Sequence, residues 1–246
     1  MGTRTGKTVA IMQSNYMPWK GYFDIIAASD EIVLFDEVQY TRSDWRNRNR
    51  IVANNATQWL TVPVTVAGKY FQPINLTEIA DPKWSLRHWN TLRHSYRNSA
   101  HFAEWAPILE ALYLQVAPLR LLTEVNEVLV RAIAQRLDLP TVFSRGEAIP
   151  KRTETATDRL VEICIARGAD TYISGPAARA YIDPQRFTQA GVALRYANYT
   201  GYPEYSQAQP SFDHHVSVMD LLFNCGSASR LHLKSLRDRE SFLDTP

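Results

Sequence analysis

The sequence predicts an α/β fold: a mainly parallel sheet in a three-layer sandwich, with a small β-hairpin insertion and added helices. Three observations lead there. Two short apolar runs, VAIM (residues 9–12) and EIVLFD (31–36), bracket the helix-like GYFDIIAASD (21–30). That is the strand–helix–strand order of a parallel crossover. The same order returns with TVFS (141–144), TATDRLVEICIAR (155–167) and TYIS (171–174). Between them, residues 119–137 place Leu122, Val125, Val128, Leu129 and Ile133 on one helical face, suited to covering a sheet.

The chain has 246 residues, 45% hydrophobic and 21% charged, which suits a single globular domain over 1–246. Within it the expected order is a core unit at 8–51, a β insertion at 59–79, a helical segment at 83–137, a second α/β half at 138–226 and a tail at 227–246. Net charge is +2, so nothing pushes the chain toward nucleic acid, and a small-molecule substrate is the expected partner. Cys164 and Cys225 lie far apart, without metal-type spacing, as in a reducing compartment. No apolar run approaches the roughly 18 residues of a membrane span. MGTRTGK carries no apolar signal core, so a cytoplasmic protein is expected.

The elements follow in order. VAIM is a buried strand that ends at Gln13. The loop to Lys20 is rich in polar and aromatic residues and is punctuated by Pro18 and Gly21. EIVLFD ends in a carboxylate, Asp36. WLTVPVTV (59–66) alternates as a strand whose Pro63 places it at an edge, with INLTEI (74–79) as its hairpin partner. Residues 83–96, 102–115 and 119–137 have helical spacing. Thr155 or Thr157 caps the helix at 155–167, and Gly168 closes it. PAARAYIDPQRFTQAG reads as two short helices, VALRYANY (192–199) as a strand, 201–212 as an ordered loop, and HVSVMDLLFN (215–224) as an apolar helix.

In parallel sheets ligands collect beyond the carboxyl ends of the strands. Gln13, Asn15 and Asp36 stand at such ends, and Tyr16, Trp19, Tyr22 and Asp24 share the loop and the helix that follows. The helix start at Gly21 offers free N–H groups to an anion. The bland alternative is that the aromatics are core. Next, Gln39, Tyr40 and WRNRNR (45–50) supply Trp45, Arg46 and Arg48. Arginines grip phosphate or carboxylate in bidentate fashion; the alternative is an ion-pair network with Asp36 or Asp44. Asp220 and Asn224 lie one turn apart on an apolar helix, and a buried carboxylate there needs a partner such as Arg46 or Arg48. Ser174 and Gly175 present a hydroxyl and backbone N–H groups at a strand end. His88, His94 and His101 have poor metal spacing, and no other His, Cys and carboxylate set forms a metal site. Adjacent His214 and His215 diverge, and either serves as a general base. Asp36, Asp220 and His215 are therefore the catalytic candidates, and the remaining residues are candidates for binding substrate.

Several long motifs, QSNYMPWKGYFDII, FDEVQYTRSDWRNRNRI, GADTYISGPAARAYID and HVSVMDLLFNCG, resemble the WbqC-like family over about residues 8–226. The resemblance implies a bacterial protein of surface-polysaccharide or O-antigen biosynthesis. It implies a transferase acting on an activated sugar or amino sugar, with acyl or aminoacyl transfer as one form and an acyl donor or carrier protein as partner. A second similarity concerns the first strand, loop and helix, which resemble the Rossmann-like layout of nucleotidyltransferases with a T/H-x-G-H signature. Here Trp19 and Tyr22 replace its first and last positions. A nucleotide-binding or nucleotidyl-transferring enzyme, or a non-catalytic binding or scaffold protein of polysaccharide assembly, are the alternative functions.

Overall fold

A computed structural model describes residues 6–246. Strand β1 (Thr8–Met12) leads through helix α1 (Lys20–Ala28) to β2 (Glu31–Leu34). A separate hairpin follows, β3 (Arg48–Ala53) and β4 (Ala56–Thr61). Three helices, α2 (Trp84–Tyr96), α3 (Phe102–Val116) and α4 (Leu122–Arg136), precede β5 (Val142–Arg145). The chain continues as α5 (Ala156–Ala166), β6 (Thr171–Ser174), α6 (Pro184–Gln189) and β7 (Ala193–Ala197). It closes with α7 (Val218–Cys225), α8 (Lys234–Arg237), α9 (Arg239–Phe242) and β8 (Leu243–Asp244).

The main sheet has the order β5-β2-β1-β6-β7-β8. Its strands are parallel except β8, which runs antiparallel to β7. The chain winds outward from β1 through β2 to β5, then returns to the other side of β1 at β6. This is a doubly wound order, and its switch point lies between β1 and β6. The α/β three-layer fold expected from the sequence is the observed one.

The apolar runs explain the layers. β1 and β2 are buried on both faces, as interior parallel strands are. Val9, Ile11 and Val33 pack with Leu160, Ile163 and Phe187 from α5 and α6 on one side. Ala10, Ile32 and Leu34 join the larger core on the other side, with α1, the hairpin, α2, α3, α4 and α7. Burying a Val, Leu, Ile or Phe side chain in this way contributes roughly 1.5–3 kcal/mol. Of the stripe on α4, Leu122, Val125, Leu129 and Ile133 are fully buried. Thr155 caps α5 by accepting the Asp158 N–H at 3.1 Å.

Two expectations are corrected. The hairpin pairs residues 48–53 with 56–61, so the arginine cluster is itself a strand. Asn54 and Asn55 make its turn, both with left-handed φ (52° and 59°), a pairing that Asn accepts better than most residues. The segment expected as a strand at 74–79 starts instead as a 3-10 turn, Ile74–Leu76, and meets the chain before it at one bridge, Val64 to Ile79. The tail at 227–246 also returns to the sheet, through β8. Among the described residues no helix is long and apolar enough to cross a membrane.

Candidate functional site

Beyond β1 the chain enters the loop at residues 13–19, which is held from several directions. Asp36, just past β2, accepts the Ser14 N–H at 2.7 Å and the hydroxyl of Thr123 on α4. Asn49 on β3 donates to the carbonyls of Met17 (2.8 Å) and Tyr16 (3.2 Å). Ser217, the cap of α7, donates to the same Met17 carbonyl at 2.8 Å. Met17 has φ 42°, a conformation costly for a non-glycine residue and fixed here by its neighbours. Asn126 of α4 donates to the Arg46 carbonyl at 2.9 Å.

Against this loop lies a cleft in two connected parts. A groove of about 560 Å³ runs over the carboxyl ends of β1 and β6, at the switch point, past Gln13, Asn15, Arg46, Ser174 and Gly175. A chamber of about 340 Å³ is walled by Pro18, Asn49, His214 and His215. Asn15, Trp19, Trp45 and Tyr199 line both parts.

The site carries one arginine, held by a hydrogen bond to Asn15 and a longer ion pair with Asp44. Arg46 Nη1 donates to Asn15 Oδ1, while Nη2 stands 3.8 Å from Asp44. The Trp19 indole stacks on the His215 imidazole, centroids 5.6 Å apart and planes at 27°. Trp45 packs on Trp59 at 5.4 Å and is 39% exposed, an unusual exposure for a tryptophan that lines a cleft. Burial lowers the pKa of His214, and the nearby Lys20 adds to the effect, so its imidazole is neutral near pH 7. Its Nδ1 is buried and has no partner among the described residues. His215 Nδ1 lies 3.4 Å from Asp213. Tyr22 donates to the Gln13 carbonyl at 3.1 Å, and burial raises its pKa, so it is a neutral phenol.

Gln13, Asn15, Trp19, Tyr22, Trp45, Arg46, Ser174, Gly175 and His215 thus line one cleft. The other candidates do not, and each has a physical reason. Tyr16 is buried, its hydroxyl bound to His88 (2.7 Å) and Tyr113 (2.6 Å). Asp24 is buried and accepts from Tyr202, Lys234 and Ser235 at 2.7–2.8 Å, which caps α8. Gln39 bridges to Pro73, and Tyr40 hydrogen-bonds through its N–H to the Gln72 carbonyl. Arg48 faces the Trp59 ring at 4.1 Å. Both oxygens of Asp36 are engaged in holding the loop and α4, which replaces its expected role as a base by that of a clamp.

Asp220 is also withdrawn from the cleft. It is fully buried, and its partners are Tyr205 and Gln207 at 2.8 Å rather than an arginine. Burial raises its pKa despite those hydrogen bonds. Asn224 donates back to the Asp220 carbonyl at 2.8 Å. The expected anion seat at the start of α1 is filled from within: a Cβ on Gly21 would stand 2.3 Å from the Trp19 indole. Lys20 is buried among Tyr202, Tyr205 and Phe212, its ammonium 5.1–5.2 Å from their ring centres, and burial lowers its pKa to about 8.

Pro18, Asn49 and Tyr199 belong to the cleft without having been singled out for it in the sequence, whereas His214 was one of the two bases considered there. Tyr199 follows β7 just as Ser174 ends β6, so position beyond a strand's carboxyl end was the available signal. Among the described residues no three His, Cys, Asp or Glu side chains converge as a metal site.

A family model described as the WbqC-like protein family matches residues 13–232, which includes the polar and aromatic cleft residues named above. The chain belongs to the WbqC-like protein family. It is 40% identical over 231 residues to the uncharacterized protein Rv1507c of Mycobacterium tuberculosis (strain ATCC 25618 / H37Rv), covering 94% of this chain and 99% of that relative. No solved structure matches the chain.

Proposed function

We propose that this WbqC-like protein is a transferase of bacterial surface-polysaccharide assembly that acts on an activated sugar or amino sugar. The observation that carries the reading is the position of Arg46, fixed by Asn15 where the aromatic chamber meets the groove. An arginine there can hold the anionic activating group of such a substrate. The flat faces of Trp19 and Trp45 suit a sugar ring, whose C–H face packs on aromatic surfaces. His214 is a neutral imidazole on the chamber wall and supplies a base for an acceptor hydroxyl or amine.

Nucleotidyl transfer finds less support here, because Tyr22 is spent on the Gln13 carbonyl and Lys20 is enclosed by aromatic rings. The test is titration of the purified protein with nucleotide sugars and hexose 1-phosphates by calorimetry, followed by turnover assays with candidate acceptors. Saturable binding that falls in Arg46→Ala, together with turnover, is the expected result. Binding without turnover makes the protein a carrier or scaffold. Absence of binding to every activated sugar ends the proposal.

A further inference from the structure

The reading above leaves the activating group unnamed, and the groove bears on it. The groove lies between the carboxyl ends of β1 and β6, where the winding direction of the sheet reverses. Doubly wound sheets open a crevice at that point because the two connections leave in opposite directions. Its lining includes the aliphatic side chains of Ile11, Met12, Ile25, Val38 and Leu160. One wall comes from Gln13 and Asn15 after β1, and the opposite wall from Ser174 and the turn Pro176–Ala180 after β6. Phe35 and Tyr181 add two aromatic rings to the lining.

Two polar groups of the groove keep capacity to engage a ligand. The Gln13 side-chain amide has no hydrogen-bond partner among the described residues. The Ser174 hydroxyl accepts from Tyr172 at 3.3 Å and keeps its own proton to donate. These are groups suited to ribose hydroxyls and to the edge of a base. Arg46 lines the groove and is bonded to Asn15, which lines both groove and chamber. The cleft therefore offers three features: aromatic rings with amide and hydroxyl groups, a single guanidinium, and an aromatic chamber. Its groove volume of about 560 Å³ is in the range of small-molecule sites.

We infer that the activating group is a nucleoside diphosphate, with the nucleoside in the groove, the diphosphate at Arg46 and the sugar in the chamber. The inference rests on the activated-sugar reading. A polyprenyl diphosphate shares the anionic centre, but its chain has nothing to pair with Gln13 and Ser174, whose burial against hydrocarbon is unfavourable.

The test uses the full chain with UDP, GDP, a hexose 1-phosphate and farnesyl diphosphate as separate ligands. Gly175 takes a side chain without backbone strain: its φ is −70°, and an added Cβ would touch only the Tyr199 hydroxyl, at 3.9 Å. Gly175→Leu therefore obstructs the groove while the fold is kept. Tyr181→Ala is a second variant, safe because Tyr181 is 64% exposed. The expected result is that UDP or GDP binds without any sugar. Gly175→Leu then weakens it at least tenfold, more than it weakens hexose 1-phosphate, and Tyr181→Ala weakens it about threefold. If hexose 1-phosphate binds and neither nucleotide does, the inference fails and the activated-sugar reading stands. If farnesyl diphosphate binds more tightly than both nucleotides, the groove takes an apolar chain and the inference fails. If nothing binds, both fail. Equal nucleotide affinity in the wild type and both variants also overturns it.

Discussion

Asn15 Oδ1 accepts a hydrogen bond from Arg46 Nη1, joining the loop after the first strand to the entry of the hairpin. Arg46 is thereby aimed along the cleft, while Arg48, two residues on, packs its guanidinium on the Trp59 ring. The pair yields a contrast. Arg46→Ala is expected to weaken binding of an activated sugar roughly 10–100-fold, the equivalent of one charged hydrogen-bond partner. Arg48→Ala changes it by less than about threefold, since an exposed contact of this kind is worth little. Calorimetric titration of both variants with one ligand decides between them; equal losses would show that the cluster acts as a diffuse field.

Trp45 is half exposed and lines both parts of the cleft. Trp45→Ala should fold with nearly unchanged melting temperature and lose roughly 3–10-fold in affinity for the sugar-bearing ligand. Trp45→Phe should recover part of it. A melting temperature that falls steeply would assign Trp45 to the hairpin core instead.

His214 faces Lys20, Glu204, Asp213 and His215, and its pKa is lowered, first by burial. As a base it works in its neutral form, so the rate is lost as pH falls through a value below 6.5 and is flat above it. His214→Gln is expected to reduce turnover by roughly 10²-fold or more with little change in ligand affinity. A rate unaffected by the substitution would remove His214 from the chemistry.

Asp36 holds Ser14 and Thr123 together. Asp36→Ala leaves a buried N–H and a buried hydroxyl without their acceptor, at about 1–3 kcal/mol each. Chemical denaturation should show a loss of about 2–6 kcal/mol. Ligand affinity falls with it, because the loop at 13–19 loses its clamp.

His88 is enclosed among Tyr16, Trp84 and the helices, and burial lowers its pKa from 6.5 to about 4. Between those values the unfolded chain binds a proton that the folded chain refuses. Stability from this group is therefore complete above about pH 6.5 and is lost as pH falls toward 4, by up to ~3 kcal/mol. Denaturation of the wild type and His88→Gln at pH 7 and pH 5 checks it. The wild type should lose stability relative to the variant on acidification, and parallel curves would contradict the assignment.

Much of this protein was written locally. Short apolar runs bounded by turns made VAIM and EIVLFD parallel strands, and the 3.6-residue stripe on residues 122–133 made α4. The loop after β1 was recognisable as a site because strand ends are where backbone groups and polar side chains remain uncovered. The roles of individual residues were decided elsewhere. Asp36, Asp220 and Asp24 look alike in sequence as polar residues beside apolar runs, yet each found buried donors in a distant segment: Thr123, Tyr205 and Ser235. Which of Arg46, Arg48 and Arg50 meets the cleft depends on the hairpin, whose turn at Asn54–Asn55 sets the register. His214 and Tyr199 entered the site from the far end of the chain, where Ser217 and Val218 tie the following segment to the Met17 and Pro18 carbonyls. Local pattern fixes which segments form strands and helices, since that depends on neighbours in the chain. Partnership of polar groups depends on the unique packing of segments far apart, and so it was settled by the tertiary structure.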